Sequence, residues 1–509
     1  MTSTNNSRIA KNTAMLYLRM MFTMGISLYT SRVVLNVLGV ENFGIYNVVG
    51  GFVTMFSFLS HAMASATQRF FSFEIGRQDY NQLRNVFSMS VKIHLLIAFI
   101  ILLFAETIGL WFLNTQLVIP ADRMNAARWV YQFSILTLIV NVINVPYNAI
   151  IIAHERMNVY AWISISEVSL KLLSVFILQW YGVDKLIFYA ILIFSISVII
   201  RLIYGLYCSR NFKEINVWGY WDKTLFKTLI NYAAWNLWGN AAVAIMGQGV
   251  NVLLNIFFGP VINAARGIAY QVLGAVHGFV LNFQMAINPQ IIKSFASNDL
   301  KYMHLLIFRG AKYSFFLLFA LSVPIIFETE IILRLWLKNV PDYTVIFTRL
   351  VIVYILIESI SGPLMTAAQA SGRIKLYQGV DGGLLILNLP VSYIFLKLGY
   401  GPEITFIVSI CISMVALYAR LKIISPLVNL NIYSFMKSVL LKIIPVSFIT
   451  IILPLCITCY LSESFWRLLL TSIISVLVLG LSIYLIGLER DEQTFVKSKF
   501  KQFFNYRSV

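Results

Sequence analysis

The sequence "PYNAIIIAHERMNVY" at residues 146–160 recurs without a gap as "PLMTAAQASGRIKLY" at residues 363–377. The aligned identities are Pro146 with Pro363, Ala153 with Ala370, Arg156 with Arg373 and Tyr160 with Tyr377. Both segments end a long apolar run and lead through a short polar turn into another. A match of this kind indicates that the chain contains two related halves, each built from the same succession of apolar helices.

The composition of the chain indicates a membrane protein. Hydrophobic residues make up 59% of the 509 residues and charged residues only 12%, which leaves too little polar surface for a soluble protein of this size. Apolar runs of about 18 or more residues recur with short polar breaks, as expected of helices that cross a bilayer. We therefore predict an all-α polytopic membrane protein. Its fourteen predicted spans are 14–37, 44–66, 87–113, 126–153, 159–180, 185–208, 226–258, 261–287, 305–335, 344–370, 377–398, 403–419, 443–460 and 464–488.

The repeat relates spans 1–6 to spans 7–12, and two short matches support it: Leu35-Asn36 with Leu254-Asn255, and Ser72-Phe73 with Ser294-Phe295. An even number of spans separates equivalent positions, so the two halves have the same orientation. We predict two parallel six-helix lobes around a central cavity, an arrangement typical of transporters that work by alternating access. The predicted domains are an N-terminal lobe at 1–208, a C-terminal lobe at 209–425, two extra transmembrane helices at 426–488 and a basic cytoplasmic tail at 489–509.

The distribution of Lys and Arg predicts the orientation of the chain. Most of the basic residues between spans lie in the breaks on one side of the membrane, whereas the breaks on the other side hold only Arg123, Lys338 and Lys397. The positive-inside rule therefore places both termini in the cytoplasm. The net charge of +18 follows from this topology, and we predict no nucleic-acid partner because no single basic module carries the charge.

Two stretches carry a family resemblance: "SRVVLNVLGVENFGIYNVVGGF" at 31–52, with Gly39, Gly44 and Tyr46, and "NFQMAINPQIIKSFASND" at 282–299, with Pro289. They resemble bacterial polysaccharide flippases of the multidrug/oligosaccharidyl-lipid/polysaccharide exporter superfamily. The resemblance implies a protein of the bacterial cytoplasmic (inner) membrane that moves undecaprenyl-pyrophosphate-linked oligosaccharide repeat units to the outer leaflet. These units serve O-antigen, capsule or exopolysaccharide assembly, with a polysaccharide polymerase as a candidate partner.

Three arginines inside predicted spans are candidates for substrate binding. Arg266 lies deep in span 8, and Arg19 and Arg32 lie in span 1. An arginine at the centre of a spanning helix costs about 2.5–3.5 kcal/mol on insertion scales and usually faces a cavity or a partner. If the halves pack as the resemblance implies, spans 1, 2, 7 and 8 line the cavity and gather these arginines. A planar guanidinium suits a pyrophosphate, although Arg19 could snorkel to the membrane surface and Arg266 could have an intramolecular partner.

Span 7 contains a run of neutral amides among aromatic residues and glycines. These side chains could bind sugar hydroxyl groups, or they could form hydrogen bonds between helices. The sequence favours neither alternative. The amides are Asn236, Asn240, Gln248, Asn251 and Asn255.

Four acidic residues inside or beside the spans are candidates for coupling transport to protons or sodium ions, because a carboxylate in an apolar site can carry a proton or a cation. They are Glu106, Glu167, Glu358 and Asp381. Lys171 lies four residues after Glu167, a spacing that equally favours a simple ion pair on one helix face. The sequence contains no HExxH motif, Walker loop or nucleophile elbow, so we predict no enzyme activity, no cofactor and no metal.

Two other functions compete with the flippase. A cation-coupled multidrug antiporter of the same superfamily would share the twelve-helix core. It would, however, favour buried acids in the N-terminal lobe, where span 1 has Arg19 and Arg32 and no acid. A membrane glycosyltransferase or polymerase would need a sizeable outer loop, whereas the outer breaks here have mostly about ten residues or fewer. The sequence therefore favours a flippase whose partners are a lipid-linked oligosaccharide and membrane lipids.

Overall fold

The computed structural model describes residues 2–54, 56, 58–115, 119–180, 184–215, 221–258, 260–337, 340–494 and 497. Within these residues the chain is helical and contains no strand, which confirms the all-α prediction. The helices are α1 (Thr2–Thr54), α2 (Phe58–Arg77), α3 (Tyr80–Phe104), α4 (Leu110–Thr115), α5 (Met124–Ala153), α6 (Met157–Gln179), α7 (Lys185–Asn211), α8 (Lys223–Phe258), α9 (Pro260–Ala296), α10 (Leu300–Phe327), α11 (Thr329–Leu337), α12 (Thr344–Ser371), α13 (Lys375–Lys397), α14 (Ile404–Val428), α15 (Ile432–Phe435), α16 (Leu441–Tyr460) and α17 (Phe465–Ser482). Short π-helical segments at Ala105–Gly109, Met436–Leu440 and Ile483–Gly487 adjoin α3, α15 and α17.

By length and composition, eleven helical segments of the described residues could cross a membrane. They coincide with predicted spans 3–7 and 9–14, so the chain is a multi-pass membrane protein. The predicted count of fourteen is not confirmed. Predicted spans 1, 2 and 8 fall on α1, α2 and α9, which lie outside the eleven.

A kink at Gly39 divides α1 into two helices, and it lies within the break predicted between spans 1 and 2 at residues 38–43. No loop separates the two helices, because only Gly39 departs from helical geometry, with φ 77° and ψ 164°. Glycine tolerates this positive φ because it has no Cβ, so the chain changes direction at one residue. The predicted end of span 2 at residue 66 is too early, since α2 continues to Arg77 and buries Phe71 completely.

The predicted end of span 12 at residue 419 is likewise too early. α14 continues to Val428 and ends at Asn429, which is left-handed with φ 53° and donates its backbone N–H to the Ser425 carbonyl. An Asn in this conformation is a common helix C-cap. As a result, Arg420 lies inside the helix and is buried, whereas the sequence assigned it to a cytoplasmic break.

The described chain forms two compact units. Unit 1 comprises Met1–Asn240 and Met285–Asp299, and unit 2 comprises Ala241–Gln284 and Leu300–Val509. In unit 1, α5 packs against α7 and α1 packs against α6; in unit 2, α12 packs against α10 and α14, and α16 packs against α17. The chain therefore changes unit within α8 and within α9. The domain boundaries predicted from the repeat follow the sequence match rather than these packing contacts, and they stay predictions.

Equivalent turns of the two repeats have the same backbone conformation. The alignment of 146–160 with 363–377 pairs Glu155 with Gly372, and both residues are left-handed, with φ 59° and 73°. The turns before α3 and α10 also match, because each has a left-handed residue, Gln78 or Asn298, directly before an aspartate. The internal repeat thus extends to single backbone positions.

Candidate functional site

Arg266 is a buried cation in unit 2. Only 8% of the residue is exposed. Its Nη2 donates a hydrogen bond of 3.0 Å to the carbonyl of Gly247 on α8, and its guanidinium carbon lies 4.3 Å from the ring centroid of Tyr270, one turn later on α9. Its Nε is buried and has no hydrogen-bond partner among the described residues. The contact with Tyr270 was not among the sequence predictions, although the spacing of four residues between Arg266 and Tyr270 places both on one face of a helix.

The charge of Arg266 is not neutralised within the described part of the chain, where no carboxylate oxygen lies within 4.0 Å of the guanidinium. Four buried or half-buried carboxylates of unit 2 pair with other cations. These pairs are Glu358 and Asp381 with Arg420, Glu328 with Arg467, and Glu492 with Arg309 and Lys312. A carbonyl and an aromatic face stabilise a guanidinium but leave its full charge in place. Arg266 can therefore still attract an anion.

Arg420 brings together two of the predicted coupling residues. Its Nη1 donates hydrogen bonds to Glu358, at 2.9 Å, and to the Ser361 hydroxyl, at 2.7 Å. Its Nε donates a hydrogen bond of 2.7 Å to Asp381. The second oxygen of Glu358, Oε1, is buried without a hydrogen-bond partner among the described residues. Two carboxylates facing one guanidinium leave the cluster one negative charge in excess when all three groups are ionised. Sequence reasoning missed Arg420, and the signal that could have found it is the Asn429 cap of α14.

The predicted arginines of span 1 belong to unit 1. Arg19 is half-buried and donates a hydrogen bond of 2.9 Å to the Tyr160 hydroxyl. Its guanidinium carbon lies 4.8 Å from the centroid of the Tyr160 ring. The side chain of Arg32 lies outside the described residues. The predicted gathering of Arg19, Arg32 and Arg266 around one aqueous space therefore stays a prediction.

The amides of α8 differ in their hydrogen bonds and in their burial. Asn251 accepts hydrogen bonds from the Asn263 amide of α9 at both its backbone oxygen and its side-chain oxygen, at 2.7 and 2.6 Å. This contact is the interhelical bond that the sequence left open as an alternative to sugar binding. Asn236 is buried, Asn240 and Gln248 are exposed, and the side chain of Asn255 lies outside the described residues.

The other two predicted coupling residues lie in unit 1 and have local partners. Glu167 accepts 2.6 Å from Lys171, the ion pair expected from their spacing, and both side chains are more than a third exposed. Glu106 accepts 3.2 Å from the Gln132 amide and lies in the π-helical turn at Ala105–Gly109. The structure thus joins Glu358 with Asp381 but does not join either to Glu106 or Glu167.

The chain is similar in fold to several solved transporter structures. The chain superposes with a TM-score of 0.72 at 14% identity on an outward-facing multidrug resistance MATE family transporter of the MOP superfamily, covering 83% of this chain and 96% of that one. A MOP superfamily transporter from Pyrococcus furiosus, described by the reverse polarity of its binding pocket, gives 0.70 at 14% identity with the same coverage. A MATE transporter in a bent conformation gives 0.71 at 13% identity, again covering 83% and 96%. At such low identities these matches show the fold alone.

Comparison of the sequence with protein-family models identifies the family of the chain. A comparison with curated proteins finds no match, but the model of one protein family matches residues 9–295, which is more than half of the chain. This match and the fold agree with the resemblance drawn from 31–52 and 282–299. The chain belongs to the polysaccharide biosynthesis protein family.

Proposed function

We propose that this protein is a flippase that moves undecaprenyl-pyrophosphate-linked oligosaccharide repeat units across the bacterial cytoplasmic membrane by alternating access. The observation that carries the proposal is the buried, uncompensated charge of Arg266. The protein's membership of the polysaccharide biosynthesis family supports the substrate class. The MATE-like fold of the protein supports the transport mechanism. A polysaccharide polymerase would then act on the exported units.

The geometry of Arg266 suits a pyrophosphate. Gly247 and Tyr270 hold the guanidinium from two sides, so that its fork is already oriented before a ligand arrives. The Nε and the N–H groups not used by Gly247 are available for paired hydrogen bonds to phosphate oxygens. Arginine also loses less hydration than lysine when it is buried, so a fixed guanidinium binds phosphate at a lower desolvation cost. We propose that Arg19 and Arg32 add positive charge to the same path.

The sugar portion needs a surface of neutral polar and aromatic groups. The exposed amides of Asn240 and Gln248 and the half-exposed indole of Trp238 provide one along α8. Amides bind hydroxyl groups through both donors and acceptors, and aromatic faces pack against the apolar faces of sugar rings. We propose that Asn236, Asn251 and Asn255 shape this helix surface. For Asn251, the bond to Asn263 indicates an indirect role.

The proposed energy source is a proton or sodium gradient acting on Glu358 and Asp381. Their shared partner Arg420 cannot neutralise both carboxylates, and Glu358 Oε1 has no hydrogen bond in the described structure. Binding of one proton or one monovalent cation would remove the excess negative charge and satisfy the unpaired oxygen. Release of the cation would restore that charge, so the cluster has two states of different charge. Glu106 and Glu167 remain secondary candidates.

Substitutions of Arg266 test the proposal. Arg266→Lys keeps the charge but loses the planar fork and should lower export partly, whereas Arg266→Ala should lower it about ten- to a hundredfold, the cost of one charge-assisted contact. The measurement is surface polysaccharide per unit of protein in the membrane. Arg201→Ala is the matched control, because Arg201 also stacks on a tyrosine, Tyr147, at 3.8 Å but belongs to unit 1.

The outcomes separate the proposed function from its competitors. Normal export by a well-expressed Arg266→Ala protein would contradict substrate binding at Arg266. Equal losses in Arg266→Ala and Arg201→Ala would show that any stacked arginine in a span is needed for structure. Transport of organic cations in place of lipid-linked sugars by the purified protein would favour the antiporter.

A further inference from the structure

Glu155 contacts two separate parts of unit 1, α9 and α1. Its carboxylate accepts hydrogen bonds from Lys293 and Gln290 on α9 and pairs with Arg8 on α1 at 3.0 Å. Its backbone carbonyl accepts a hydrogen bond of 3.2 Å from the Asn12 side chain. Only 1% of the carboxylate side chain is exposed. Glu155 thus fastens the end of α9 and the start of α1 to the turn between α5 and α6.

The backbone conformation of Glu155 indicates that its carboxylate has a role beyond forming the turn. Its φ of 59° is disfavoured for residues with a Cβ, and the aligned position of the second repeat has Gly372 with φ 73°. The first repeat therefore tolerates a strained glutamate where the same turn can be made with glycine. Strained residues of this kind often mark functional positions.

α9 lacks one backbone hydrogen bond directly before the residues that Glu155 contacts. Pro289 has no N–H, so the Met285 carbonyl lacks the helical hydrogen bond that residue 289 would otherwise donate. Met285 is also the residue at which α9 passes from unit 2 to unit 1. Beyond this point the helix packs closely on α2, where a Cβ on Gly76 would lie 2.6 Å from the Lys293 carbonyl oxygen.

We infer that Glu155 is the latch of a gate at the predicted cytoplasmic end of the protein, and that the gate segment is Met285–Asp299, the last part of α9 and the turn after it. While Glu155 holds Lys293 and Gln290, the gate segment stays packed on α2 and the α5–α6 turn. When these contacts break, α9 bends at Met285–Pro289 and the cytoplasmic end opens. The inference rests on alternating access in the proposed function, but it does not depend on the identity of the substrate.

Thiol labelling of the gate segment tests the latch. Ser294 lies in this segment and is 5% exposed, so a single cysteine there should react slowly while the gate is closed. The probe is a membrane-impermeant maleimide applied to inside-out vesicles, using protein whose four native cysteines are replaced. We expect Ser294→Cys to react about tenfold faster when combined with Glu155→Gln or Glu155→Gly, the effect of losing one charge-assisted interaction. Glu155→Gly also relieves the backbone strain. Thermal unfolding of each variant, measured beside the labelling, separates opening of the gate from a folding defect.

The matched control is Glu214→Gln. Glu214 pairs with His154, the neighbour of Glu155, at 2.7 Å, and this hydrogen bond lowers the pKa of the Glu214 carboxyl. Within the described residues the Glu214 side chain bonds His154 and not α9, so Glu214→Gln should leave the labelling rate of Ser294→Cys unchanged. Unchanged labelling in both Glu155 variants, or equal acceleration by Glu214→Gln, would overturn the latch. The labelling needs no lipid-linked sugar in the vesicles. Its result therefore tests the latch separately from the proposed substrate binding at Arg266.

Discussion

The ion pair between Glu328 and Arg467 makes a quantitative prediction about how the last two long helices are attached. Arg467, near the start of α17, donates its Nε and Nη2 to the two Glu328 oxygens at 3.0 and 2.9 Å. The exposed fraction is 8% for the Arg467 side chain and 0% for that of Glu328. In Arg467→Met, Glu328 would keep Thr471 as a neutral donor but would lose its counterion. Breaking a buried pair by removing one partner costs about 3–5 kcal/mol, so the purified variant should unfold at a clearly lower temperature.

Exposed and double variants identify the cause of this loss. Arg334 pairs with Glu330 one turn away, but both side chains are well exposed, so Arg334→Met should cost about 0–1 kcal/mol. Combining Arg467→Met with Glu328→Leu removes the uncompensated charge and should restore most of the stability, because apolar replacement of both partners is often neutral. Thermal unfolding in detergent at one scan rate measures all three. Equal unfolding temperatures for Arg467→Met and Arg334→Met would refute the reasoning.

Two further predictions concern topology and ion coupling. Single cysteines near Asp79 and Asn298 should be labelled only from the cytoplasm and one near Pro341 only from outside, as the charge distribution requires; the reverse pattern at these positions would disprove the orientation. Glu358→Gln and Asp381→Asn should each lower gradient-driven export at least about tenfold at unchanged protein level, through loss of one charged site. Export assayed in vesicles with an imposed proton or sodium gradient measures the effect, and full activity of both variants would remove the cluster from the mechanism.

Helix type and membrane character were predictable because they follow from local composition. Long apolar runs specify spanning helices wherever they occur, and eleven of the predicted spans coincide with long apolar helices of the structure. The exceptions have identifiable local causes. Gly39 turns α1 without a loop, and Asn429 ends α14 later than hydropathy indicates. Such single-residue features are small beside the apolar signal that surrounds them.

The ionic partners were not predictable in the same way. The pair of Glu167 and Lys171 was foreseen because both residues lie on one turn of a helix. The partners of Glu358 and Glu155 lie on other helices, far along the chain. A single sequence gives the spacing within a helix but not which helix faces which, so these contacts depend on tertiary packing. The left-handed position of Glu155 is visible in the sequence only through its alignment with Gly372.

Four buried or half-buried arginines of the described residues contact two kinds of partner, and the difference indicates their roles. Arg420 and Arg467 contact carboxylates, so their charge is used within the protein. Arg266 and Arg201 lie over tyrosine rings instead. An aromatic face offsets part of the desolvation cost of a guanidinium and fixes its plane, but it leaves the positive charge uncancelled. Such an arginine keeps its positive charge inside the protein and can bind an anion that reaches it. For Arg266, whose Nε has no hydrogen-bond partner among the described residues, we propose that this anion is the phosphate group of a lipid-linked sugar.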